Sequence, residues 1–260
     1  FDTAQAYYDD ALAEFQAMNS RSLEGVCLGN MATLYRRMGR HTDAIDAMTQ
    51  ALSIARELND QESQCIQLAN LSNAYNDGGQ FERAKACAEE ALVFARDVGN
   101  RYFESVVLGT IAGSLERDKR WEEAIGFRQE SLRISREMGN RLTEAICLGN
   151  MGTNFTHQDD LDAAEKHLRE SLTITDGEWE VPNGFFGASL AVVRAKKGDL
   201  VEARDLFSRA EALLKGAHMS GYVESLCKQA KVEHQAGESE QALRALRKAE
   251  AAVAALDLGP

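Results

Sequence analysis

Proline is nearly missing from these 260 residues, occurring at Pro182 and Pro260 alone. So little proline leaves long helices unobstructed and excludes a polyproline or collagen-like build. Cysteine is scarce: Cys27, Cys65, Cys87, Cys147 and Cys227 are odd in number and contain no CxxC pair. That argues against a disulfide framework and against a zinc ribbon. No apolar run approaches the roughly 18 residues that span a bilayer, and no secretory leader is recognisable. Positive charge is also short, and the net charge of -12 repels phosphate backbones and anionic lipid. Nucleic acid and membrane are therefore not expected as partners, whereas a basic or neutral peptide would be tolerated. Catalytic signatures are missing as well. There is no GxSxG, no HExxH and no phosphate-binding glycine loop, and His41, His157, His167, His218 and His234 are scattered. No enzyme, cofactor or metal is expected.

What is present is a period of forty. Leu28-Gly29-Asn30, Leu68-Ala69-Asn70, Leu108-Gly109-Thr110 and Leu148-Gly149-Asn150 recur at that spacing, as do Tyr35, Tyr75, Leu115 and Phe155. A fixed period of this size means stacked supersecondary units, none of which buries its apolar face alone. Cys27 and Cys147 share one apolar slot of the pattern and read as small buried hydrophobes in a reducing, cytoplasmic setting.

Each unit reads as two amphipathic helices. The first leading helix is predicted from about Arg21 to Met38, with Leu23, Cys27, Leu28, Met31, Leu34 and Tyr35 on one face. Gly39 breaks it, and a second helix runs from about Thr42 to Glu57. Asn19, Asn59, Gly99 and Gly139 share the position after the second helix, where a left-handed residue ends it. Ser20, Asp60, Asn100 and Asn140 follow as N-caps. Repeats are thereby expected over 20–57, 58–97, 98–137, 138–177, 178–217 and 218–260. Residues 1–19 align with 41–59, the second half of a repeat, so the chain is expected to be cut from a longer protein. In the last two repeats Arg194 and Glu233 replace the Tyr35 aromatic. The run Asp176 to Gly187, rich in glycine and aromatics, reads as a longer loop or a delayed helix start. Its Trp179, Phe185 and Phe186 are either a docking site or residues folded onto their own scaffold. Polar residues such as Gln229 mark the final repeat as a terminal cap.

Eighteen positions must be small wherever helices cross. They are Ala32, Ser72, Ala112, Gly152, Ala191 and Ala230; Ala44, Ala84, Ala124, Ala164, Ala203 and Ala242; and Ala51, Ala91, Ser131, Ser171, Ala210 and Ala249. With the Leu and Tyr positions, this pattern resembles the tetratricopeptide repeat signature, in the longer forty-residue form of the LGN/Pins scaffold, kinesin light chain and bacterial signalling regulators. The resemblance implies an all-α fold, an α-α superhelix of six helix pairs behind a leading half-repeat, forming a single domain over 1–260. It also implies a concave groove, lined by the leading helices, that receives a peptide.

On those helices the stripe opposite the packing face holds Val26, Asn30, Thr33 and Arg37, then Ile66, Asn70, Asn73 and Asp77, with Asn76 beside it. Val106, Thr110, Gly113 and Arg117 follow, and then Ile146, Asn150, Thr153 and His157. An amide donates and accepts at once, so Asn30, Asn70 and Asn150 suit the main chain of an extended peptide. The resemblance implies such an asparagine clamp, with Thr110 departing from it. The same amides would equally tie neighbouring helices together, and Gly29, Gly109 and Gly149 serve either close packing or ligand approach. Relatives that hold a terminal carboxylate with lysines and an arginine are not matched, since Gly29, Thr33, Asn70, Val106 and Thr110 leave that anion unpaired. The expectation is a non-catalytic peptide-binding module. The alternative is a sensing or autoinhibitory arm of a regulatory ATPase, kinase or transcription activator. Self-association through exposed repeat ends is a further expectation.

Overall fold

The computed structural model describes residues 2–257, and side chains over 3–255; Pro260, named above, and the first residue of the leading half-repeat lie outside them. Thirteen α-helices follow one another among the described residues, with no strand. They are α1 (Asp2–Ala17), α2 (Arg21–Arg37), α3 (His41–Glu57), α4 (Gln61–Asp77), α5 (Phe81–Asp97), α6 (Arg101–Arg117) and α7 (Trp121–Glu137). After them come α8 (Arg141–His157), α9 (Leu161–Thr175), α10 (Glu180–Lys196), α11 (Leu200–Leu214), α12 (Met219–Gln235) and α13 (Ser239–Asp257). The chain packs as two compact units, residues 1–134 and 135–260. Each is a run of helix hairpins.

The junction chemistry explains why every helix stops where it does. Asn19, Asn59, Gly99 and Gly139 all have positive φ, between 52° and 68°. Behind them the N–H groups of Ser20, Asp60, Asn100 and Asn140 reach back five residues to the carbonyls of Phe15, Ala55, Ala95 and Ser135 at 2.9–3.0 Å, closing Schellman turns. Asp60, Asn100 and Asn140 then accept from the backbone N–H of Ser63, Phe103 and Thr143 at 3.0–3.1 Å. Ser20 departs from the expectation: it occupies the cap position without a side-chain hydrogen bond.

Small residues set the spacing. All eighteen Ala, Ser and Gly positions named above are buried, most of them completely. Serine stands at Ser72, Ser131 and Ser171; the last two hydroxyls reach a carbonyl, while Ser72 Oγ is buried without a partner among the described residues. The Ser131 hydroxyl donates to the Ser105 carbonyl at 2.8 Å in the first unit, and that of Ser171 to Ala145 at 2.8 Å in the second. Leu28, Leu68, Leu108 and Leu148 are buried between hairpin partners, and Tyr8, Leu12 and Phe15 of α1 pack onto the same core as Leu28.

The run from Asp176 to Gly187 is mostly helix, correcting the loop reading. Only residues 176–179 separate α9 from α10, and Pro182 sits in the first turn of α10, where no N–H is missed. Its glycines answer to packing: a Cβ on Gly184 would come 2.6 Å from Leu214 Cγ. Phe186 is buried beside Leu168 and Leu190, and Phe185 packs against its own unit's core.

Where the aromatic of the early repeats is lost, ion pairs take its place. Arg194 contacts Glu165 at 3.1 Å and Asp199 at 2.7 Å. Lys197 reaches Glu165 at 2.8 Å, and Arg169 does so at 2.9 Å. These cations, Lys197 foremost, hold the Glu165 carboxyl down at about 2, against the opposing effect of burial. A depressed carboxylate stabilises the fold above its unfolded range near 4.5, and the gain disappears as pH falls towards 2. Glu165→Gln should therefore cost about 1–2 kcal/mol at pH 7, a figure discounted for solvent screening. Urea titrations of variant and wild type should converge between pH 5 and pH 2.5 (roughly the span of that titration); a gap constant with pH would contradict the network.

Candidate functional site

In the first unit the leading helices α2, α4 and α6 are neighbours. Contacts near their C-terminal ends show that they run side by side in one direction. Asp77 of α4 pairs with Arg36 of α2 at 2.8 Å and with Arg117 of α6 at 3.3 Å. Arg117 also donates to the Asn76 carbonyl at 3.5 Å. Identical repeat positions on parallel neighbours place Asn30, Asn70 and Thr110 in one row across this face.

The amides of that row are unengaged. Asn30 is exposed, Asn70 and Asn73 are half-buried, and among the described residues none of the three has a side-chain hydrogen bond. Asn150, on α8 of the second unit, is likewise half-buried and without a partner. Thr33 Oγ1 donates to the Gly29 carbonyl at 3.2 Å, and Thr110 Oγ1 to Val106 at 3.2 Å. Those hydroxyls offer a ligand lone pairs but no proton. Arg37 is exposed and makes no ion pair among the described residues, while His157 stands exposed at the end of α8.

Among the predicted residues, Arg117 is engaged by the scaffold, and so are Asn76 and Asp77. Asn76 is buried, and its Nδ2 donates to Ser114 Oγ at 2.8 Å. It stands behind the row and ties α4 to α6; its Oδ1 is buried without a partner. Asp77 is neutralised by two arginines. Two arginines, Arg36 and Arg117, thus flank a single aspartate, and Arg37, next to Arg36 in the chain, is exposed, so this end of the face is locally basic in an acidic chain. The sequence stripe contained Arg37 and Arg117 but missed Arg36, because a wheel of 100° per residue places Arg36 at the edge of the packing side.

The glycines of the row divide by neighbour. A Cβ on Gly29 would meet the Gln67 amide at 2.9 Å, and one on Gly109 would meet Arg128 Nη1 at 3.3 Å. At Gly149 the Cβ would fall within the Phe186 ring. Close packing accounts for Gly149, and flexible side chains border the other two.

Burial pushes the thiols of Cys27, Cys65 and Cys87 above their ordinary range. All five cysteines are free, and Cys227 is exposed. Among the described residues no group of three or more His, Cys, Asp or Glu could hold a metal ion, and no helix is long and apolar enough to cross a membrane.

The sequence pattern of the tetratricopeptide repeat matches residues 1–57, 23–97 and 103–176, and a second pattern of the same description matches 224–248. The chain belongs to the tetratricopeptide repeat family. No curated protein is significantly similar to it in sequence. Among solved structures, this tetratricopeptide protein is similar to the apo form of RapI, with a TM-score of 0.79 at 14% identity over 98% of this chain and 92% of that one. A Rap protein complexed with Competence and Sporulation Factor gives 0.75 at 16% identity, over 98% and 70%. A signal transduction ATPase of the STAND class from Pyrococcus horikoshii, with a tetratricopeptide repeat sensor, gives 0.69 at 15%, over 92% of this chain and 37% of that one. At these identities the likeness is one of fold.

Proposed function

We propose that the tetratricopeptide face of α2, α4 and α6 binds an extended peptide segment of a partner protein, without catalysis. The observation that carries this reading is the set of half-buried and exposed amides at Asn30, Asn70 and Asn73, none with a side-chain hydrogen bond among the described residues. An unengaged amide at a recess offers donor and acceptor to a main chain at little reorganisation. Each hydrogen bond contributes roughly 0.5–1.5 kcal/mol, so the row anchors, and flanking groups such as Arg37 select. Because Arg37 and Arg117 make one end basic, the preferred segment carries an acidic residue there. The Rap complex with its factor is consistent with this use of the fold. A sensing arm of a regulatory ATPase has the fold of the Pyrococcus protein behind it but no residue of its own in support.

The test is a peptide array probed with wild type and with Asn30, Asn70 and Asn73 all changed to Ala. Binding should fall about tenfold or more, the equivalent of 1.4 kcal/mol, while helical circular dichroism is unchanged. Arg37→Glu should shift the preferred segment from acidic to basic. If the triple variant binds the array like wild type, the amides are not the site.

A further inference from the structure

Repetition lets the side chains missing from one place be named from their counterparts. Twice, the same cluster spans consecutive second helices. In the first unit Arg96 of α5 reaches Glu104 of α6 at 2.9 Å and Glu130 of α7 at 2.8 Å, and Leu108 is fully buried. In the second unit Arg136 reaches Glu144 of α8 at 2.8 Å and Glu170 of α9 at 2.7 Å, and Leu148 is buried. One repeat further, 40 residues on for the arginine and 39 for the others (the interval from Gly152 to Ala191 and from Ser171 to Ala210), stand Asp176, Asn183, Arg209 and Gly187. Acid and base have changed places, the middle carboxylate has become an amide, and the leucine is gone.

Nothing in the second unit replaces them. A Cβ on Gly187 would meet no atom within 4 Å, and a cavity of about 490 Å³ opens there, floored by Leu172, Leu190, Leu206 and Ala210. That volume lies within the roughly 300–1,000 Å³ of small-ligand sites. The two arginines at its rim are engaged: Arg169 by Glu165 and Glu202, and Arg209 by Asp205 at 2.7 Å. The Asp176 and Asn183 side chains, both lining the cavity, have no partner among the described residues.

We propose that this cavity between α9 and α11 binds an aliphatic cation, its hydrocarbon chain in the leucine slot at Gly187 and its guanidinium or ammonium head on Asp176 and the Asn183 carbonyl oxygen. The ligand would restore what the repeat has lost, an apolar body and a positive charge. An anion would face the one uncompensated carboxylate. The site is separate from the peptide face, being formed behind α10 by two second helices. Its occupant is either a free alkyl guanidine or amine, or an arginine or lysine side chain presented by a peptide.

Calorimetry should compare n-butylguanidinium, its neutral analogue n-butylurea, and an acetylated, amidated Leu-Arg-Leu peptide. Saturable binding of n-butylguanidinium alone supports a free amine as ligand; binding of the peptide alone supports a presented side chain. Gly187→Leu, which refills the slot, should abolish binding and leave the helical signal intact. Asp176→Asn should weaken it about tenfold. Should Gly187→Leu misfold, Gly187→Ala tests the same filling with a smaller group and should weaken binding. The proposal is overturned if neither cation saturates by ~10 mM, a ceiling of about 3 kcal/mol, if n-butylurea binds equally well, or if the refilled variants bind like wild type.

Discussion

Gly149→Ala should destabilise the protein by about 2–3 kcal/mol, the range for overpacking a filled core. The same change at Gly113 should stabilise it by about 0.5–1 kcal/mol, the helix preference of alanine over glycine. Both glycines lie inside leading helices, so propensity alone gives them one sign. Their neighbours differ. The added methyl at Gly149 would occupy the space of the Phe186 ring. That ring is 7% exposed and set among Leu168, Leu190 and Val193. At Gly113 nothing lies within 4 Å. Gly109 is intermediate, because the Arg128 guanidinium 3.3 Å away is held by Glu116 at 3.0–3.1 Å but ends a flexible chain. Urea unfolding of the three variants should rank them in that order. Shortening the ring in Gly149→Ala/Phe186→Leu should recover part of the loss, because the methyl then fills space that the ring vacates. Equal effects at all three positions would mean that the close approach at Gly149 plays no part.

The contrast shows which features were legible in the chain. Helix order, boundaries and junctions followed from local rules repeated every forty residues: Asn59 and Gly139 at positive φ, Asp60 and Asn140 capping, alanines at crossings. Such rules need only a few neighbouring residues, so sequence exposes them. The candidate row rests on the same reasoning, since it is drawn from equal repeat positions on neighbouring helices. What sequence hid depends on partners far along the chain. Asn76 looked like a groove residue on the helical wheel, yet Ser114, 38 positions away, draws it inward. The glycines of the Asp176–Gly187 run suggested a loop because glycine and proline break helices in isolation. In the fold Gly184 yields to Leu214 and Gly187 to an open space, and neither demand is visible locally. The changes at Arg194 and Glu233 could be seen as a lost aromatic, but their compensating charges lie 29 residues earlier, at Glu165 and Arg204.

That last pair yields the other large effect. Glu233 is 1% exposed, and Arg204 donates to both of its oxygens at 2.9 and 2.7 Å, with Glu238 a further 3.5 Å contact. The guanidinium is held above its ordinary range, chiefly by the hydrogen bonds to Glu233. Arg204→Ala removes the cation and strands a carboxylate out of water, a loss of about 3–5 kcal/mol for a buried pair broken on one side. Glu233→Gln keeps an oxygen for Arg204 and leaves the cation access to Glu238 and solvent, so about 1–2 kcal/mol is expected. Glu233→Tyr restores the residue of the early repeats, and Tyr35 already carries the Arg40 guanidinium 4.5 Å from its ring centre. With Arg204 free to stack in the same manner, that variant should approach wild-type stability. Chemical unfolding separates the possibilities: a penalty for Arg204→Ala no larger than that for Glu233→Gln would show that solvent and not Arg204 satisfies the carboxylate.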